Sequence, residues 1–419
     1  MPIALTNATY IDRDAETMQT GAILVSDDPN GGIEFVDQAP SSAEVIDCSG
    51  RVVTPSFAIA HHHIYSGLAR GMPAPPSTPT NFLEILELIW WRVDKALDTD
   101  MVRACAHAVA IEALKSGSTF IIDHHASPSA PAGSLHTIAG ALDEIGVGHL
   151  LCYELSDRDG PDKRDAGLQE TQDYLVNHQG LVGLHASFTV SEPLLEFAVD
   201  LANKHGTGLH IHVAEDDADQ TFCLENHNCR VVERLHNAGV LESPRSILAH
   251  CIHLDNHERA LIADSSAWVS QQSESNQNNA VGALDARAFP DKVMIGTDGM
   301  HSDALGAARA AYLMAQREEG GMSPLDAHDR LRRVHSYLES NQFEGDSGNN
   351  LVILDYNPPT PVTIDNWPGH LMYGLSRAHV ESVIARGRLV LDHGRCTLVD
   401  EDEILEGCRE QAERLWEKL

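Results

Sequence analysis

The sequence predicts an α/β chain, a (β/α)8 TIM barrel with a small composite β-sandwich domain made from its N- and C-terminal segments. Three observations carry this. Between residues 56 and 345, strand-like and helix-like runs alternate about eight times, as eight βα units closing into a parallel barrel would. The segments before and after this stretch read as short strands with turns. Almost every inner strand ends in His, Asp or Glu, and in a barrel the carboxyl ends of the strands share one rim.

The elements follow in order. Residues 1–55 hold IALTNATYI and GAILVSD, apolar or alternating runs closed by the breaker DDPNGG. Residues 56–345 form the catalytic barrel. Its strands read as VVTPSFAIAHHH (entered from residue 52), STFIIDHH, GHLLCYEL, LVGLHASF, GLHIHVAE, SILAHCIH, AWVSQQ and KVMIGTDG. Helical runs such as MVRACAHAVAIEALKSG, LLEFAVDLANKHG and ALGAARAAYLMAQREEG lie between them and close on Gly, the usual residue past a helix end. Residues 346–419 return to strands in NNLVILDY, ESVIARGRLVLDHGR and CTLV. They end in a helix, EDEILEGCREQAERLWEKL, with apolar residues at helical spacing.

Composition narrows the function classes. Lys+Arg is 29 and Asp+Glu is 62, so the formal net charge is −33, which repels nucleic acid and anionic membranes. Lysine is scarce, and an acidic, lysine-poor surface is what halophile proteins use in strong salt. No run approaches the roughly 18 apolar residues of a membrane helix. The N-terminus has no basic, apolar leader pattern. The eight cysteines are scattered with no CxxC pair, so a reducing compartment, the cytoplasm, is expected.

The rim residues carry the chemistry. His61 and His63 are two apart on a strand and therefore share a face, while His62 points elsewhere. His212 supplies a third imidazole from the HIHVAE strand, and Asp298 ends IGTDG where a fourth ligand is needed. Three histidines and one carboxylate suit one divalent metal: zinc first, with iron or manganese also compatible. Glu215, just past the strand of His212, is placed to carry a proton. His250 is placed to orient or stabilise a metal-activated hydroxide, and Asp298 to accept its proton. His210 shares the face of His212 one layer deeper and reads as a hydrogen-bonded core histidine.

Other residues have two readings each. Of Trp90 and Trp91, one packs in the core and one is free to stack on a planar ring; we assign Trp91 to the substrate side. His124 and His125 both line the rim, or His124 caps its strand; we assign His125 to the substrate side. Arg70 binds substrate or makes a surface salt bridge. Asn276, Asn278 and Asn279 form a turn network or a binding loop.

In TPSFAIAHHH, HIHVAE, LAHCIHL and IGTDG, in that order, the chain resembles the amidohydrolase superfamily, in the branch that deaminates cytosine, guanine, adenosine-type compounds and s-triazines. The resemblance spans nearly the whole chain. It implies metal ligation by His61, His63, His212 and Asp298, a proton-shuttling Glu215 and a catalytic His250. It also implies substrate contacts at His185 and Ser302. Relatives with two metals carry a lysine at the end of the fourth strand; LVGLHASF has none, which favours one metal. Nucleoside-binding relatives place a glutamate after the first strand, where this chain reads Leu88-Ile89-Trp90-Trp91-Arg92. The seventh strand, VSQQSESN, departs from the relatives' His-Asn-Pro run, so that wall is expected to be remodelled. The implied activity is hydrolytic deamination of an amino-substituted nitrogen heterocycle, purine-, pyrimidine- or triazine-like, by a hydrolase acting on carbon–nitrogen bonds. The alternative is hydrolysis of a cyclic amide or carbon–halogen bond by the same site. The partners implied are the small heterocycle and further copies of the chain in a homo-oligomer.

Overall fold

In the computed structural model, residues 1–317 and 321–419 are described. The end of the run ALGAARAAYLMAQREEG, residues 318–320, lies outside them; its helix covers Ala304–Ala315.

Eight parallel strands run around the barrel in sequence order: Phe57–His62, Ser118–His125, Gly148–Leu155, Val182–Ala186, Leu209–Val213, Ile247–His250, Trp268–Gln271 and Val293–Ile295. They are buried along nearly their whole length because helices cover one face and barrel side chains the other. The last strand meets the first where Thr297 and Asp298 donate their N–H groups to the carbonyl of His61, at 2.9 and 3.1 Å. This closure places the last expected ligand beside the first.

The covering helices start and stop where their caps dictate. Asp98 accepts from the Met101 N–H at the head of Thr99–Lys115. Ser191 does the same for Leu194 at the head of Glu192–His205, which ends on Gly206 at φ +62°. The run LEILELIWWRVDKAL is not one regular helix. Its centre, Leu86–Trp90, widens into a π turn between Phe82–Ile85 and Trp91–Ala96. Such insertions recur at functional sites, and this one turns Trp90 and Trp91 towards the rim.

The terminal segments form one nine-stranded sheet in which Val52–Pro55 pairs antiparallel with Leu351–Leu354. VVTPSFAIAHHH therefore serves both layers: its first half is a strand of the terminal sheet, and after Ser56 its second half enters the barrel. Between the C-terminal strands lies a helix, Trp367–Tyr373, absent from the sequence expectation. The terminal helix Glu401–Trp416 packs on Thr99–Lys115, tied by Lys115 to Glu401 at 2.5 Å and by the Cys408 thiol to the Ala104 carbonyl at 3.3 Å.

Candidate active site

The rim gathers the expected ligands. The Nε2 atoms of His63 and His212 lie 3.1 Å apart. Asp298 Oδ1 is 3.1 Å from His63 Nε2 and 3.8 Å from His61 Nε2. His61, His63 and His212 each offer a nitrogen within 4.8 Å of the others, and so do His61 and His250 with an Asp298 oxygen. All of these side chains are buried.

A deeper layer aims them. His63 Nδ1 donates to the His124 carbonyl at 2.7 Å and His212 Nδ1 to the His185 carbonyl at 2.8 Å. Both Nε2 atoms are thus left facing the centre, as outer partners do for metal-binding histidines. His61 Nδ1 is 2.8 Å from His210 Nε2, so the core histidine read from sequence holds the ring of an expected ligand. His61 Nε2 is buried with no hydrogen-bond partner among the described residues.

The electrostatics point the same way. Burial, then the neighbouring imidazoles, hold His61 and His212 well below the usual histidine range, so both are neutral. Burial also works against ionisation of Asp298, yet the contact with His63 keeps its carboxyl well below the usual range. Burial lowers His63, but Asp298 outweighs it and raises His63 to about 9. The centre therefore favours one positive charge, either a proton on His63 or a cation among the four ligands. With two neutral imidazoles, one orphaned Nε2 and an ionised carboxylate, the donor set fits a divalent metal of the zinc, iron or manganese type.

Backbone geometry serves the same rim. Ala214, His250, Cys251 and Asp298 have φ of 45°, 70°, 54° and 55°. Left-handed conformations at non-glycine residues are costly and cluster at functional sites. Here they turn the chain sharply at the ends of three strands, and His250 and Asp298 point inward from such turns.

Glu215 Oε2 lies 3.4 Å from His250 Nε2, and Asp298 Oδ2 lies 3.8 Å from the same nitrogen. Burial drives the Glu215 carboxyl up to about 7 against the pull of His250. The segment that ends and follows the seventh strand supports both groups. Asn276 Oδ1 accepts from His250 Nδ1 at 2.8 Å, Gln272 Oε1 accepts from the His250 N–H at 3.1 Å, and Asn279 donates to Glu215 at 3.3 Å. Asn276 and Asn279 thus hold His250 and Glu215, while Asn278 and Asn279 also line the cavity over the cluster.

Above the cluster lies a pocket of about 760 Å³ including its open mouth. His185 and Trp91 line it, with ring centroids 6.0 Å apart. Trp90 lines it too. Two expected substrate residues are elsewhere. His125 is fully buried behind the rim, where it bonds Ser127 at 2.8 Å. Ser302 turns away from the pocket to bond His62 Nε2 at 3.1 Å, because His62 faces the opposite side of its strand from the ligands. Arg70 makes a salt bridge to Glu112 at 2.9 Å and does not reach the pocket. The sequence reading passed over Glu154, which ends the third strand and lines the pocket. Its signal was a lone carboxylate at the end of the apolar run GHLLCYEL.

Residues 52–329 match the model of the amidohydrolase family. The chain belongs to that family. Among similar amidohydrolase-type sequences, the 5'-deoxyadenosine deaminase of Methanopyrus kandleri is 29% identical over 95% of this chain and 96% of its own length. The 5-methylthioadenosine/S-adenosylhomocysteine deaminase of Moorella thermoacetica is 27% identical over 96% of this chain and 97% of its own. Among solved structures, a Xanthomonas campestris adenosine deaminase with bound zinc superposes with a TM-score of 0.83 at 18% identity, covering 99% of this chain and 98% of that one. E. coli guanine deaminase gives 0.79 at 17%, covering 94% and 99%. At such identities the superpositions establish the shared fold.

Proposed function

We propose that this family member is a cytoplasmic aminohydrolase that hydrolytically removes an exocyclic amine from a purine-, pyrimidine- or triazine-like ring. In this reading one divalent ion, zinc, is held by His61, His63, His212 and Asp298, and the working unit is a homo-oligomer. The bound ion would supply Lewis acidity and bring the pKa of a water towards 7.

The chain's own residues do the rest. The observation that carries the reading is Glu215: a buried carboxyl poised near 7, beside His250 and above the ligand cluster. At that pKa it can start protonated, give its proton to a ring nitrogen and be reloaded by the hydroxyl proton as the carbon–nitrogen bond breaks, while the proton taken up by Asp298 goes to the departing amine. His250, held at Nδ1 by Asn276, presents Nε2 to the reacting face. Asp298 is ionised and accepts the proton of the attacking water. Trp91 and His185 provide flat apolar walls for the ring. The deaminase names of the relatives that match over nearly the whole chain support the same chemistry.

The test is ammonia release from the zinc-loaded protein with a panel of aminopurines, aminopyrimidines and aminotriazines. Ammonia from one ring class, lost with chelator and in Glu215→Gln, is the expected result. Silence across the panel, with one metal bound per chain, would instead favour hydrolysis of a cyclic amide or carbon–halogen bond.

A further inference from the structure

Glu154 has no part in the chemistry above, yet it is one of the least exposed side chains lining the pocket, at 4%. Its carboxylate stands on the His63–His212 side of the ligand cluster: an oxygen lies within 4.8 Å of nitrogens of His185 and His212. Glu215 lies beside His250 and lines the same pocket.

Glu154 sits among the imidazoles of His124, His185 and His212 and one guanidinium, Arg158. Its ion-pair contacts among the described residues are His124 Nδ1 at 3.3 Å and Arg158 at 3.7 Å. Arg158 is already engaged more closely, by Asp94 and by Asp159 at 3.2 Å. One guanidinium thus faces three carboxylates, and Glu154 is the farthest of them. The guanidinium also sits 5.2 Å from the centre of the Trp91 ring, which fixes that wall. The described residues lining the pocket include Glu154, Glu215, Asp216, Asp219 and Asp298, but no lysine or arginine. Asp219 is spoken for by the backbone N–H groups of Ala214 and Phe188, both at 3.0 Å. Asp216 caps the helix Asp217–His227. Glu154 has no such backbone partner among the described residues, and Trp91 and Phe188 line the same pocket. A carboxylate beside aromatic faces favours a flat cation or a paired set of N–H donors.

We infer that Glu154 is a specificity residue that selects a planar ring bearing a positive charge or an amidine-type N–H pair, and that the pocket rejects rings carrying a carboxylate or phosphate. This deepens the deaminase reading and rests on it for the pocket being the substrate site. The net charge of −33 favours the approach of the same class of molecule.

Calorimetric binding of two flat isosteres to the zinc-loaded full chain tests this without turnover. Benzamidine is cationic and benzamide neutral. Benzamidine should bind at least about tenfold more tightly, since hydrogen bonds to a charged acceptor are the stronger kind. Glu154→Gln should bring the ratio close to one with metal content unchanged, and Glu154→Asp should keep part of it. Equal binding of the two probes by the wild type, or a preference that survives Glu154→Gln, would overturn the inference. So would loss of a metal ion in Glu154→Gln, which would make Glu154 a ligand. If Glu154→Gln does not fold, the wild-type ratio and Glu154→Asp decide. An ammonia panel that stays silent while the benzamidine preference follows Glu154 would count against the deaminase reading alone.

Discussion

The carboxylate of Glu215 lies 3.4 Å from Nε2 of His250, and neither group has to move far to share a proton. The two come from the ends of adjacent barrel strands, Leu209–Val213 and Ile247–His250. Because they act as a unit, their contributions should not add. Glu215→Gln is expected to lower kcat by about 10²- to 10⁴-fold with zinc retained. His250→Asn on top of it should lower kcat by much less than the product of the single effects. Steady-state rates and metal content of the four proteins check this.

Asn276 fixes the tautomer of His250 through its 2.8 Å bond to Nδ1. Asn276→Ala removes that acceptor while touching neither metal nor substrate. A fall in kcat of about 10- to 100-fold is expected, with KM and metal content near wild type. An equal loss in KM alone would show that Asn276 acts on binding.

His210 supports His61, a proposed metal ligand, through a 2.8 Å contact to Nδ1. His210→Ala should weaken zinc binding by about 10- to 100-fold, read by competition with a chromophoric chelator. Since bound metal stabilises the folded state by mass action, the variant should also gain less in melting temperature on adding zinc. A wild-type zinc affinity would separate His210 from the site.

Asp123 is fully buried, with one oxygen accepting from the Ile64 N–H at 2.7 Å. Burial pushes its carboxyl up to about 7. The sign follows from linkage: a carboxyl raised on folding favours the fold at low pH, and that contribution is lost as pH rises through its folded value. Between about pH 4 and pH 7 the wild type should lose stability from this group. Asp123→Asn keeps the acceptor for Ile64 and removes the titration. Melting curves of the two proteins at pH 5 and pH 8 should show the variant gaining relative to wild type at the higher pH. No change in their difference would assign the acid response to other groups.

The convergence of His61, His63, His212 and Asp298 on one rim was legible in the sequence because strand geometry is local. Alternate residues share a face, so His61 and His63 had to point together and His62 away, and a strand end in a barrel reaches the rim. The terminal β segments and the closing helix were legible for the same reason: their periodicity is written within each run. What needed the tertiary structure was everything set by a distant partner. The division of VVTPSFAIAHHH at Ser56 depends on which strands pair with each half. The family resemblance implies a substrate contact at Ser302, but His62 claims it from across the barrel seam. The asparagine run supports His250 and Glu215 only because a short helix after the seventh strand folds back beneath them. Glu154 stayed silent in the sequence, since a single carboxylate at a strand end acquires meaning only when His124, Arg158 and the Trp91 wall are brought around it. Local pattern decides which way a side chain points; packing decides what it meets.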